Sequence, residues 1–283
     1  MLSAMSAEAT KLLRHKATWC LVWLYPIGFT LIFTIAILVG LAGGDQRPDP
    51  PTLQGWISDS TMVWQAPGNS LGRYLIAAWV AVVFAGEYGW NTWKLIVPHR
   101  ARASLIAAKY AMVVILFAFA FALTGLISVI GLWVEDLATG EAVPAGITAG
   151  LLLNAHGKGA LAAAAPAFLT IGYASLAAIL TRSTIAALVI TIVALTVEQL
   201  LFTFAPVLSQ RYPSAMWGLY HALPGYHLAN LAEWIGNGVA LSRPLPPAGV
   251  VTLSWGTSLA AAAAWIAAMV GLTFAAFRRQ DIN

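Results

Sequence analysis

Charge is what this sequence has least of. Only 9% of its 283 residues are Asp, Glu, Lys or Arg, against about a quarter in an ordinary soluble domain. Apolar residues make up 60% of the chain, and the mean hydropathy is +0.78. A chain this poor in charge cannot hide its apolar surface in one water-soluble core, so the bilayer is its expected solvent. Cysteine is nearly absent too. The lone Cys20 excludes an intrachain disulfide and a thiolate metal cluster, and its apolar surroundings suit an inert thiol. No G-x-x-x-x-G-K-[ST] segment is present, which excludes nucleotide binding through a P-loop of this chain's own. H-E-x-x-H and G-x-S-x-G are also missing. His221 and His227, near Glu233, are separated by six residues across Pro224-Gly225, a spacing that fits no zinc pattern, so no metal site is expected. The formal charge of +4 is spread over the ends of apolar runs instead of forming one dense patch, which argues against a nucleic-acid partner.

What the sequence does have is long charge-free stretches. A membrane crossing takes about 20 apolar residues, and six segments qualify as spans: about 18–42, 71–92, 110–134, 159–181, 184–206 and 251–277. The reading is one all-α polytopic membrane domain over residues 1–283. The first run is too long for a signal peptide and lacks a small-x-small cleavage site, so no cleavable leader is expected. Pro26 should kink the first span or relax its opening turns. Ahead of it, residues 3–18 combine Leu12 and Leu13 with Lys11, Arg14 and Lys16, as in an interfacial helix with Ser6 as its cap or as in a set of snorkelling positive anchors for the first span. Residues 45–72 and 135–158 are expected to be extramembrane loops, with Trp56 and Trp64 as candidates for the headgroup region. Between spans five and six, residues 207–249 mix aromatics with Pro and Gly, the pattern of short helices at the outer face. With the N-terminus inside, inner segments hold most of the Lys and Arg and outer ones most of the acids, so both termini are expected in the cytoplasm.

Two places stand out against this apolar background. Between Arg73 and Glu87 the charge-free stretch is short for a crossing, which draws Glu87 to the membrane boundary. The loop that follows is basic and aromatic: Trp90, Trp93, Lys94, Arg100 and Arg102. Glu87 is read as an anchor pairing with Lys94, Arg100 or Arg102, or capping the next helix. Trp90 and Trp93 would share one helical face beside Lys94, ready to enter a groove of a soluble partner or to lie among headgroups. The second place is span five. Thr184, Ala187, Thr191, Ala194, Glu198 and Phe202 recur at steps of three and four and make a small, polar stripe opposite Leu, Ile and Val. That stripe suits a substrate path, a contact with a second copy, or plain close packing of helices. Glu198 also leaves open a proton-coupled secondary transporter with this carboxyl as carrier. An intramembrane enzyme would need a polar cluster at one depth, and none is visible beyond Glu198.

Glu8-x-x-Lys11-Leu-x-Arg14, then Glu87 and Trp93-Lys94, then Ala107-Ala-Lys109, then Leu223-Pro-Gly form a layout that resembles the ABC-2 type permeases, the membrane subunits of ATP-binding cassette exporters. The likeness is strongest to the branch associated with bacteriocin or lantibiotic immunity and multidrug export. The resemblance implies six helices per subunit, a second permease copy or paralogue, and separate cytoplasmic ABC ATPase subunits that bind ATP and magnesium. No cofactor and no catalysis would then belong to this chain. It places the coupling helix within 87–102 and a path flanked by spans one, two and five. It further implies an exporter, multi-pass in a bacterial inner membrane, and the apolar, charge-poor composition of the expected path favours an amphipathic peptide, lipid or drug over a small ion as its substrate.

Overall fold

The computed structural model describes residues 2–42, 51–89, 92–99 and 101–281. Trp90 and Arg100 of the expected coupling loop lie outside them. The helices, in chain order, are α1 (Leu2–Arg14), α2 (Lys16–Leu21), α3 (Leu24–Leu41), α4 (Leu53–Ser60), α5 (Ser70–Gly89), α6 (Trp93–Ile96), α7 (Arg102–Thr139), α8 (Ala149–Thr181), α9 (Thr184–Leu208), α10 (Pro213–Ala222), α11 (Pro224–Asn237) and α12 (Trp255–Arg279). Six of these, α3, α5, α7, α8, α9 and α12, are long and apolar enough to cross a membrane. The fold is therefore an all-α polytopic one. Its only described sheet is a two-stranded antiparallel ribbon, Arg243–Leu245 with Gly249–Val251, which sequence reading did not foresee.

Local chemistry explains most boundaries. Thr148, Ser183 and Ser254 accept hydrogen bonds from Leu151, Ala186 and Thr257 amides at the starts of α8, α9 and α12. Pro213 and Pro224 open α10 and α11, where a missing N–H removes nothing. Arg182, in the left-handed region at φ 57°, ends α8, and Ser183 caps α9 immediately, so a very short turn joins the two spans. The first apolar run breaks at Val22-Trp23, three residues ahead of Pro26, which lacks an N–H for the turn before it. Ser6 is no cap: α1 already begins at Leu2, and the Thr10 hydroxyl bonds the Ser6 carbonyl. His15 does the capping instead, for α2.

Helices α7 and α8 run 38 and 33 residues, roughly 57 and 50 Å at 1.5 Å per residue. They outreach a hydrocarbon core of about 30 Å and absorb much of the stretch expected as a loop over 135–158. Against their protruding ends pack α4 and the 3₁₀ segment Met62–Gly68. Trp56 is consequently buried, its indole N–H bonded to Asp136 Oδ2 at 2.9 Å, and Trp64 donates to His156 Nδ1 at 3.0 Å. Burial withdraws the Trp56 ring from the headgroups, while Trp64 stays half-buried; the folded segment supplies acceptors for both indoles.

The central element is α5, which packs on α8, α9 and the 3₁₀ segment and is apolar and buried along most of its length. Its entry is tight. A methyl group on Gly72 would lie 1.9 Å from the Ala66 carbonyl oxygen, a backbone atom that cannot swing away. Gly86, on the same helix, faces open space. Gly72→Ala is therefore expected to cost about 1–3 kcal/mol by overpacking, whereas Gly86→Ala should be neutral or stabilising by up to about 1 kcal/mol. Melting of the detergent-solubilised protein checks this; equal melting of the two variants would refute the crossing geometry.

Both termini sit at one end of the bundle. The Arg102 guanidinium donates to the Arg278 and Gln280 carbonyls at 2.9 and 2.6 Å, capping α12, while α1 lies along the start of α7. At the opposite, distal end, α10 and α11 form a helical hairpin whose tip, Leu223-Pro224-Gly225, reaches the flank of α9: a methyl group on Gly225 would lie 3.5 Å from Glu198 Cγ. Trp265 of α12 donates to the Ala222 carbonyl beside the tip at 2.8 Å. Asn230 and His227 tie α11 to α12 through the buried Ser258 hydroxyl, at 2.8 and 3.2 Å.

Candidate functional site

In a membrane protein a buried charge is the first place to look for function, and besides Asp136, which takes the Trp56 indole N–H, the buried charges among the described residues form ion pairs at two depths. At the termini end, Lys109 sits in the second turn of α7 with its ammonium enclosed. Its three N–H groups meet three acceptors: Val83 carbonyl at 2.8 Å, Glu8 Oε1 at 3.0 Å and Glu87 Oε1 at 3.1 Å. Lys11 bridges the same two carboxylates, and the Thr92 hydroxyl donates to Glu87. Two acids and two bases from α1, α5 and α7 thus neutralise one another in a shared site. For Lys11, burial favours the neutral amine, yet Glu8 and Glu87 outweigh it and hold the ammonium above its ordinary value. That contribution is intact at neutral pH and is lost only as pH rises through the raised value.

This network corrects the expected pairing of Glu87. Its partners are Lys11 and Lys109, not Lys94 or Arg102; Arg102 is committed to the end of α12. Arg100 lies outside the described residues. Glu87 nevertheless anchors the loop, through Thr92. Trp93 is corrected as well. Its ring is 2% exposed and turned inward, 4.6 Å from the Phe277 centroid and 6.0 Å from Tyr88, with Lys109 Nζ 5.3 Å from its centre. An apolar pocket between α5, α7 and α12 outcompetes headgroups or a partner groove for the indole. The surface that α6 leaves outward is Lys94 and Leu95, the latter 72% exposed.

The second cluster lies within the span region toward the distal end. Arg73 of α5 donates through Nη1 to Glu198 Oε1 at 2.8 Å and through Nε to Thr170 Oγ1 of α8 at 2.9 Å. Tyr173 Oη donates to the other Glu198 oxygen at 3.4 Å. The small stripe of span five is mostly consumed inside the subunit: Ala187, Thr191 and Glu198 are buried, Thr184 and Phe202 half-buried, and Ala194 exposed. Glu198 and Phe202 border a cavity of about 410 Å³ shared with α5, α8 and α11.

Sequence reading missed Glu8 and Lys109 as partners of Glu87, and Arg73 as the partner of Glu198. Lys109 showed one signal, being a cation one turn inside an apolar run. Arg73 showed none, since at the edge of a span it reads as an ordinary anchor. His227 is buried; its Nε2–H donates to the His221 carbonyl at 2.8 Å and its Nδ1 meets the Ser258 hydroxyl. Burial holds it below the ordinary imidazole value. Among the described residues no three His, Cys, Asp or Glu side chains come together as metal ligands.

Six helices long and apolar enough to cross a membrane, with two buried ion-pair sites among the described residues, define a multi-pass membrane protein. The chain belongs to the ABC-2 family: residues 4–198 match the family described as ABC-2 family transporter protein. It is thus the permease subunit of an ABC transporter, of the kind whose ATPase is a partner subunit. Comparison with curated proteins and with solved structures returned no match.

Proposed function

We propose that this permease works as a pair, with a second copy or a paralogue, and that cytoplasmic ABC ATPases drive it to export an amphipathic peptide, lipid or drug-like molecule from a bacterial inner membrane. ATP and magnesium would be bound by the partner alone. The observation that carries the reading is the mounting of α6. Thr92 and Trp93 tie this short helix to α5, α7 and α12 through Glu87, Lys109 and Phe277, so a push on its outer face moves the spans as a rigid body. Charge supports the orientation. Among the described residues Lys11, Arg14, Lys16, Lys94, Arg102, Lys109, Arg182, Arg278 and Arg279 lie toward the termini end, against Arg73, Lys158, Arg211 and Arg243 toward the distal end. Exposed apolar faces on α3 (Ile27, Leu31, Ile35) and α9 (Val189, Val193, Val197) provide surface for lipid or a second permease.

The test is co-purification with a co-expressed ABC ATPase, followed by ATPase assay of the complex. Lys94→Glu with Leu95→Asp is expected to weaken association about tenfold, or about 1.4 kcal/mol, while the permease keeps its melting temperature. Failure to recruit any ATPase sinks the exporter reading. Unchanged association of the variant sinks the assignment of α6 as the docking face.

A further inference from the structure

We propose that His156 and Trp64 form a proton-released clasp, which seals the distal end of an apolar groove between α7 and α8 while His156 is neutral and opens it when His156 takes up a proton. The hydrogen bond fixes the chemistry. An indole nitrogen can only donate, so the Trp64 N–H, 3.0 Å from His156 Nδ1, requires a lone pair there and puts the imidazole proton on Nε2. Protonation turns Nδ1 into a donor facing the indole donor, and the bond is lost. The new charge gains nothing in exchange. Nε2 is buried and has no acceptor among the described residues. The 3₁₀ segment carries no charged residue. Helix α7 meets the ring at Gly125, about 15 Å along the helix from its distal acids Glu135 and Asp136. Asp59 of α4 and Lys158 of α8 are exposed, and Arg73 of α5 is held by Glu198. No charged side chain among the described residues acts on the imidazole.

The fold keeps a seat for this pair of rings, and two glycines make it. A methyl group on Gly125 of α7 would lie 3.0 Å from His156 Nδ1, and one on Gly159 of α8 would lie 2.8 Å from Trp64 Cδ1. Seated there, Trp64 stands edge-on to the imidazole, with centroids 6.4 Å apart and planes at 80°, and its ring is 6.0 Å from Phe121 of α7. It thereby spans the gap between the two helices. Toward the termini end, Phe117, Phe121, Ile171, Ala160 and Ala164 line a groove of about 200 Å³. On the other side lies the cavity of about 410 Å³ that Glu198 borders. Trp64 borders both, so its ring is part of the wall that parts them. The clasp is also the kind of contact that can let go, since Trp64 is only half-buried and rides on one short 3₁₀ segment. The inference goes beyond the export reading: it concerns when the groove is accessible, not what moves through it, and involves the permease alone.

The test uses the full-length permease in an uncharged maltoside detergent, with fluorotryptophan in place of tryptophan. Fluorine NMR follows the rings from about pH 7.5 to about pH 4.5, a range that brackets the ordinary imidazole value. Trp64→Phe identifies the Trp64 line by its loss. That line is expected to move in a reversible, one-proton transition. In His156→Asn, whose amide oxygen takes the place of Nδ1 but does not titrate, it should keep its neutral position throughout. Access is read separately, in a Cys20→Ser background, by reaction of Ala164→Cys with dithiodipyridine, a small apolar disulfide. At the acid end the thiol should react at least tenfold faster with His156 than with His156→Asn, and at the neutral end equally; the comparison at one pH cancels the thiol's own pH dependence. A Trp64 line that stays in place, or that moves as far in His156→Asn, overturns the clasp. A moving line with equal thiol rates at the acid end overturns the seal. If His156→Asn does not fold, Trp64→Phe decides: without the indole N–H the thiol should already react at least tenfold faster than with Trp64 at neutral pH, and equal rates there overturn the proposal. Failure to recruit an ATPase leaves this result standing, and loss of the clasp leaves the docking test standing.

Discussion

Lys109→Met is expected to destabilise the permease by about 3–5 kcal/mol, the cost of breaking a buried ion pair from one side. In a chain of this size that is on the order of 10 °C in melting temperature. The reason is the arithmetic of the site. With Lys109 removed, Glu8 and Glu87 face each other with only the half-exposed Lys11 as a cation between them, and the Val83 carbonyl loses its side-chain donor. Lys109→Arg should rescue little, because a planar five-donor fork cannot replace a point charge enclosed by three acceptors. Lys109→Met with Glu87→Gln should recover most of the loss, since each charge is costly chiefly when the other is gone. Size-exclusion of the detergent-solubilised protein after heating measures all three. If the single variant melts within about 2 °C of the wild type, roughly 1 kcal/mol or less, the network is not what joins α1, α5 and α7.

The six spans were legible because the relevant signal is one-dimensional. A run without charge, long enough to cross, marks a helix whatever it packs on, so the turn at 181–184 and the short helices before α12 could be read directly. Helix ends were less legible. Helices α7 and α8 continue past the hydrocarbon into polar sequence, since α4 and the 3₁₀ segment pack there and satisfy Trp56 and Trp64. Charge partners were the least legible. Glu87 had cationic neighbours in its own loop, and proximity along the chain favoured Lys94 or Arg102. The actual partners, Lys11 and Lys109, lie 76 and 22 residues away. Trp93 illustrates the same limit: an amphipathic face shows that a ring is presented somewhere, but only the pocket around Phe277 shows where. The polar stripe of α9 was visible as periodicity, but which helices it faced was not encoded in α9 alone.

Glu198→Gln is the companion case in the distal half and separates two accounts of that carboxyl. As one side of a buried pair, the carboxylate balances Arg73, itself fixed by Thr170. An amide can still accept from Nη1 but leaves the guanidinium uncompensated, so a loss of about 3 kcal/mol, the lower end for a broken buried pair, is expected. Arg73→Met should cost as much or more. The double variant Arg73→Met with Glu198→Met should regain most of it, because apolar replacement of an entire buried pair is often neutral or stabilising. The excess of the two single losses over the double loss is the coupling energy of the pair. A proton carrier makes a different demand: its carboxyl must exchange protons during each cycle, whereas this one is engaged by Arg73 on one oxygen and by Tyr173 on the other. Transport in proteoliposomes containing permease, ATPase and ATP therefore should continue when an uncoupler collapses the proton gradient. Transport that stops with the gradient and persists without ATP would transfer Glu198 from the frame of the subunit to its driving step.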